Sequence, residues 1–130
     1  MLKAVPTIHS EKLDLTAVYQ FTGELALNDL HSYVVLFLKN MKKCIKDLNQ
    51  AFDCNDFEKI KVVAHNMKSG SLYLGAQALS NYCRELEYAA MASPLEPKLV
   101  KLTGEKALSE LNEVIHLLEA WSQSVKEFKK

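Results

Sequence analysis

Apolar residues recur at alternating steps of three and four along most of this chain, which is the period of an amphipathic α-helix. The first such stretch runs from about Asn28 to Phe52, with Asn28 or Asp29 as a possible cap. A second follows the turn at residues 54–56 and ends near Gly75. A third runs from about Ala76 to Met91, and the last follows a proline-containing loop at residues 93–97. The pattern therefore predicts four long helices, and no stretch alternates as a β-strand would.

Short connections between long helices require neighbouring helices to pack antiparallel. The expected fold is all-α, an up-down-up-down four-helix bundle with an additional short N-terminal helix. That short helix is predicted over residues 15–21, with Asp14 as its cap and Gly23 as its stop. Residues 1–11 show no period and are expected to form a flexible arm, which leaves residues 12–128 as the bundle domain. Gly104 is expected to weaken the last helix and to mark a kink there.

The second helix carries a histidine that its core does not need. Its predicted core stripe comprises Phe57, Ile60, Ala64, Met67, Ser71 and Leu74. At about 100° per residue, His65 lies roughly 130° from the middle of that stripe and should face water or a partner. Residues three, four or seven positions from His65 share its face, and these are Lys61, Val62, Lys68, Ser69 and Leu72. An exposed imidazole is thus expected between two ammonium groups and two exposed aliphatic side chains.

The segment around this histidine resembles the histidine-containing phosphotransfer (HPt) domain of two-component phosphorelays. His65-Asn66-Met67-Lys68-Ser69-Gly70-Ser71, followed by Gly75-Ala76, Leu79, Cys83 and Leu86-Glu87, is similar to that family's His-x-Leu-Lys-Gly-Ser pattern with the same later offsets. One position departs from the pattern: the family usually has glycine four residues after the histidine, where this chain has Ser69. The resemblance covers about residues 13–90.

The resemblance implies a role for each residue of this face. His65 would be the phospho-accepting residue, with Lys68, Ser69 and Glu87 in support. A polar group at the Glu87 position often hydrogen-bonds the ring in this family, and Arg84 is the other candidate within reach of it. Lys61, Val62 and Leu72 would bind the partner, although the N-terminal arm is an alternative cover for the two aliphatic residues. Gly75 would form the turn between the second and third helices.

The implied function is phosphorelay signalling. His65 would accept a phosphoryl group from the aspartyl phosphate of a receiver domain, or from a hybrid sensor kinase, and pass it to a response-regulator receiver. Imidazole suits this chemistry, because its ordinary pKa of about 6.5 leaves a neutral ring nitrogen near pH 7. The alternative is a helical adaptor that binds a receiver or kinase domain through the same face without carrying phosphate, and Ser69 at the usual glycine position favours it.

Several classes of function are disfavoured by the sequence. It contains neither a phosphate-binding P-loop nor an acidic cluster suited to Mg²⁺, so we expect no ATP site, no enzyme with its own ATP chemistry, and no bound metal. Any Mg²⁺ is expected from the partner receiver. Sixteen basic residues balance sixteen acidic ones, which argues against nucleic-acid binding. His9, His31 and His116 have no motif around them and are expected at the surface or in the arm.

The setting of the chain is also suggested by composition. No stretch is apolar enough to span a membrane or to act as a signal core, so a cytoplasmic location without membrane insertion is expected. The three cysteines (Cys44, Cys54 and Cys83) are odd in number and lack metal-ligand spacing, which favours buried or reduced thiols. Nothing demands a dimer, and a monomer is expected.

Overall fold

The computed structural model describes residues 12–15 and 24–130. Within those ranges the secondary structure consists of four helices and contains no strand: α1 (Glu24–Asp53), α2 (Phe57–Tyr73), α3 (Gln77–Met91) and α4 (Pro97–Phe128). The all-helical class is confirmed. The predicted arm over residues 1–11 and the short helix over residues 15–21, apart from Leu15, lie outside the described residues.

The four helices close into a ring around one core. α1 contacts α2 and α4, and α3 contacts the same two helices from the other side. The side chains that fill the core are almost all aliphatic, and among the largest of those fully buried are Leu48, Ile60, Met67, Leu86, Leu111 and Leu118. Because each helix buries one stripe against two neighbours, burial of apolar surface stabilises all four together.

One helix start follows from local chemistry and another from packing. α2 begins after Asp56, whose side chain accepts a hydrogen bond from the Lys59 backbone N–H at 3.1 Å. The prediction for α1 was wrong, because that helix begins at Glu24, four residues before Asn28. Asn28 and Asp29 are exposed on its first turns, and the fully buried Leu27 precedes them, so packing of the leucine extends the helix past its apparent caps.

The turn between α2 and α3 depends on one glycine. Gly75 has φ +74°, in the left-handed region that favours glycine, and its N–H donates to the Leu72 carbonyl at 3.1 Å. A Cβ at this position would lie 2.3 Å from the backbone carbonyl oxygen of Asp14. The turn therefore fixes how α2 and α3 pair and also receives the segment that carries the buried Leu13 and Leu15.

In α4 the structure differs from the sequence pattern in two ways. Leu99 and Leu102, whose spacing with the later Leu108 and Leu111 predicts a core stripe, are exposed, and the core instead receives Val100, Thr103 and Ala107. Gly104 lies inside one continuous helix, where a Cβ would come 2.2 Å from Cζ of Phe52. The glycine thus permits the Phe52 ring of α1 to approach the α4 backbone.

The cysteines and one histidine are placed individually by the packing. Cys83 is fully buried, and burial raises the pKa of its thiol to about 12, which suits a core residue. Cys44 is half-buried and Cys54 is exposed, and all three cysteines are free, in agreement with the expectation of buried or reduced thiols. His31 is partly exposed and also makes two contacts that the sequence did not predict: Nε2 lies 2.8 Å from Oγ of Ser122, and the ring packs edge-on against Trp121.

Candidate functional site

His65 lies on α2 at the junction with α3 and projects outward. Its side chain is 58% exposed, whereas its neighbours Val63, Ala64 and Met67 are buried. The helical period explains this placement, since the core stripe takes the residues before and after the histidine and leaves the imidazole on the opposite side. A surface cavity of about 320 Å³ lies beside it, lined by Lys61, Val62, His65, Asn66, Glu87 and Met91.

Glu87 of α3 fixes the orientation of the imidazole. Its Oε2 lies 2.8 Å from His65 Nδ1, and its Oε1 accepts a hydrogen bond from Nζ of Lys68 at 2.9 Å. The carboxylate is largely buried, with 11% of its side chain exposed, and both oxygens are satisfied by these two partners. The histidine, the carboxylate and the lysine therefore form one connected network across α2 and α3.

The network keeps Glu87 ionised. The hydrogen bond from Lys68 is the main reason that the pKa of Glu87 is lowered, and the hydrogen bond from His65 adds to it, while burial opposes both. Because the folded pKa lies below the unfolded one, the stabilisation from this carboxylate is present above the unfolded pKa and is lost as the pH falls through the lowered value. At neutral pH the group is a carboxylate.

An ionised carboxylate can only accept hydrogen bonds, and this settles the tautomer of the ring. Nδ1 must donate its proton to Glu87, so Nε2 of the neutral ring carries the free lone pair. In that tautomer Nε2 is the ring nitrogen with a free lone pair, on a side chain that is more than half exposed. The Glu87 contact holds the imidazole in one orientation and leaves Nε2 without a contact to the carboxylate.

Lys68 and Lys61 are both engaged in ion pairs. Lys68 contacts Glu87 and has 27% of its side chain exposed, while Lys61 lies 2.7 Å from Glu58 on its own helix. We placed both lysines beside the histidine, and the structure does so, but it directs the Lys68 ammonium to the carboxylate. The sequence alone named Glu87 and Lys68 separately and gave no sign that they pair, because that depends on side-chain conformations across two helices.

Ser69, Val62 and Leu72 are exposed on the same side of α2, with Val62 at 48% and Leu72 at 55%. One apolar side chain of the site was not predicted: Met91 lines the cavity beside His65. Tyr73 at the end of α2 is 61% exposed, and Leu36 of α1, which is 54% exposed, lines a separate groove. Met91 lies four residues after Glu87, a spacing that puts both on one face of α3 and could have identified it. Tyr73 packs against Tyr33 with ring centroids 4.5 Å apart and so connects the exposed end of α2 to α1.

Side-chain contacts from α3 to α2 help to hold the register of these two helices. Oγ of Ser80 donates to the Lys68 carbonyl at 3.2 Å, and Glu87 contacts His65. Arg84, the other candidate for contact with the imidazole, is exposed and does not join the network.

In the described part of the chain, no group of three or more His, Cys, Asp or Glu side chains is placed to hold a metal ion. No helix there is long and apolar enough to cross a membrane.

Comparison with known proteins gives one family and one relative. The family model of the Hpt domain matches residues 32–124. The sensor protein TorS of Escherichia coli (strain K12) is 26% identical to the chain over 113 residues, which are 87% of the chain and 11% of TorS. The chain thus spans only a small part of the length of this relative. No solved structure matches the chain significantly.

Proposed function

Because this chain belongs to the Hpt domain family, whose members are phosphotransfer modules without an ATP site of their own, we propose that His65 carries a phosphoryl group between receiver domains. Family membership supports a role in phosphorelay signalling in general. The observation that carries the specific proposal is the Glu87 contact at 2.8 Å, which occupies Nδ1 and leaves Nε2 of an exposed ring as the nucleophile.

The proposed step begins with a receiver whose aspartate is phosphorylated. Nε2 of His65 attacks the phosphorus in line, a nitrogen–phosphorus bond forms, and the bond to the aspartate oxygen breaks, so the aspartate leaves as a carboxylate. The ring keeps its Nδ1 proton and gains a positive charge. The Glu87 carboxylate faces that charge directly, which stabilises the phosphorylated ring. Transfer to a second receiver is the same step in reverse.

Each remaining residue contributes to this step by position. Lys68 acts through Glu87, because its ammonium keeps the carboxylate ionised and oriented toward the ring. Ser69 lies one turn after His65 and is small enough to leave the approach to Nε2 open. The receiver would supply Mg²⁺ and the reactive aspartate. Lys61 borders the cavity beside His65, where it would lie near the acidic pocket of the receiver.

We also infer that the helices alternate in direction, which keeps the phosphoryl site on one face. Contacts between α1 and α4 support this. His31 near the start of α1 contacts Ser122 near the end of α4, and Phe52 near the end of α1 lies beside Gly104 near the start of α4. Tyr33 with Tyr73, and Lys59 with Gln50 at 3.4 Å, give the same pattern for α1 and α2. The short turns before and after α3 favour alternation for the other pairs.

The test of the proposal is transfer of labelled phosphate from a phosphorylated receiver domain to the full chain. An acid-labile adduct on the chain is expected, since a phosphorus–nitrogen bond hydrolyses in acid. A receiver that binds but transfers no label would support the alternative, a helical adaptor. A relay and an adaptor would both bind a receiver through the exposed apolar residues around His65, so a binding measurement alone does not distinguish the two functions.

Replacement of Leu72 by Asp should weaken receiver binding about tenfold. Leu72 is 55% exposed and lies two turns from His65, and an apolar contact at the centre of an interface is commonly worth about 1–2 kcal/mol. Leu102→Asp is the matched control, because Leu102 is 49% exposed on α4 and far from the site in the ring of helices. Titration calorimetry with a receiver measures both. Equal affinities for the two variants would remove Leu72 from the interface.

Replacement of Glu87 by Ala should slow transfer about ten- to a hundredfold, because a hydrogen bond to a charged group contributes about 1.5–3 kcal/mol. Without the carboxylate, Nδ1 is no longer fixed as the protonated nitrogen. Phosphorus NMR should therefore detect phosphate on both ring nitrogens of the variant, whereas the native chain should carry it on Nε2. Glu85→Ala is the control, since Glu85 is an exposed glutamate on the same helix. A single isomer and an unchanged rate in Glu87→Ala would show that the contact does not direct the chemistry.

A further inference from the structure

A second surface of the bundle lies between α1 and α4, away from His65. Because α1 and α4 contact each other on the side of the ring opposite the α2–α3 junction, this surface and the imidazole face different directions. It is a groove of about 510 Å³, which we call the α1/α4 groove, bordered by Val35, Leu38, Lys39, Lys42, Glu119 and Lys126. A partner in this groove would leave His65 accessible.

The α1/α4 groove is basic in a chain whose net charge is zero. Three lysines border it against a single glutamate, and Lys42 lies 3.4 Å from that glutamate, Glu119. Lys39 and Lys126 form no ion pair with any described residue. Residues 39–46 of α1 contain four lysines and no acidic residue, so the positive charge continues along the helix beyond the groove. The chain as a whole therefore has no net charge, but this surface has a local excess of positive charge.

Positive charge at this end of α4 also affects a partly buried histidine between α1 and α4. The pKa of His31, which packs between α1 and α4, is lowered first by burial and then by the charges of Lys129 and Lys126. Lys126 of α4 thus acts across the contact on His31 of α1. The three lysines exceed the single glutamate that faces them, so they repel one another, and a negatively charged partner would relieve that repulsion.

The α1 side of the groove floor is apolar, and Ser122 and Gln123 line its α4 side. Val35 is 50% exposed, and Leu38 beside it is close to fully buried. An apolar strip between cationic borders fits a helix or an extended segment that carries an apolar side chain flanked by carboxylates. A membrane surface fits less well, since the apolar side chains lie between the lysines. Nucleic acid fits less well because Glu119 faces the groove and no long-range basic field exists.

We propose that the α1/α4 groove is a docking site for an acidic amphipathic segment of a partner protein. The segment would place an apolar residue over Val35 and Leu38 and set its carboxylates against Lys39, Lys42 and Lys126. Binding there is independent of the proposed phosphoryl chemistry, so the chain would hold one partner through this groove while a receiver meets His65.

The test uses the full chain and a synthetic peptide about five helical turns long, with leucine along one face and glutamate along the other. Amide chemical shifts followed by NMR during titration should change along α1 and α4 around Val35 and Lys126, and binding should weaken as salt is added. A peptide with lysine in place of glutamate is the probe control. The triple variant Lys39→Glu, Lys42→Glu, Lys126→Glu should weaken binding at least about tenfold.

The matched control carries the same change of charge elsewhere: Lys98→Glu, Lys101→Glu, Lys106→Glu, all exposed on the first half of α4. It should weaken binding by less than about twofold. Equal losses in the two triple variants, shifts centred on His65, or equal binding of the lysine peptide would overturn the proposal. Tighter binding to phosphatidylglycerol vesicles or to duplex DNA than to the acidic peptide would overturn it too. None of these results depends on transfer of phosphate.

Discussion

Replacement of His65 by Gln should abolish phosphoryl transfer while leaving the fold and the stability nearly unchanged. The imidazole is the only group of the network with a nitrogen lone pair available for attack, because Glu87 holds Nδ1 and Lys68 is protonated against the carboxylate. Glutamine preserves the size and polarity of an exposed side chain, so packing is not disturbed. Labelled phosphate from a phosphorylated receiver should reach the native chain and fall below detection on the variant.

His116→Gln is the matched control, because His116 is an exposed histidine on α4 with no carboxylate network. It should accept label at the native rate. Label retained by His65→Gln would identify another acceptor and refute the assignment. Loss of label in both variants would point to an effect of the substitutions on receiver binding, and binding measured separately would distinguish that case.

The helices were largely predictable because their causes are local. The three-and-four period of apolar residues reports burial directly, and Asp56 and Gly75 give the ends of α2 through one capping hydrogen bond and one positive φ. The start of α1 was misplaced because Asn28 and Asp29 have the chemistry of caps, yet Leu27 is pulled into the core one residue earlier. Tertiary packing therefore overrode the capping signal.

The site was predictable in its residues but not in its connections. The period of α2 exposes His65 whatever surrounds it, and the resemblance pointed to Glu87 as its contact. That Lys68 reaches Glu87 depends on the crossing of α2 and α3 and on two side-chain conformations, which no spacing along one helix reports. The contact of His31 with Trp121 likewise joins α1 to α4 and is not reported by spacing along either helix.

The second large effect is expected at the turn that holds the two halves of the site together. Gly75→Ala should lower the free energy of unfolding by about 2–4 kcal/mol, because a Cβ at φ +74° is strained and would lie 2.3 Å from the Asp14 carbonyl oxygen. Backbone atoms cannot rotate away, so the turn or the segment that carries Leu13 and Leu15 must move. Urea unfolding followed by circular dichroism measures the loss.

Gly70→Ala makes the same chemical change five residues earlier and should have the opposite sign. Gly70 lies inside α2, where its Cβ would first meet Phe37 Cε2 at 3.4 Å, an ordinary contact. Alanine is favoured over glycine within a helix by about 1 kcal/mol, so stability should stay level or rise. Because the turn at Gly75 sets the register that brings Glu87 to His65, Gly75→Ala should also slow transfer at temperatures where the chain is still folded. Equal stability of the two variants would show that the turn tolerates a side chain and that the register is held elsewhere, for which the Ser80–Lys68 hydrogen bond is the candidate.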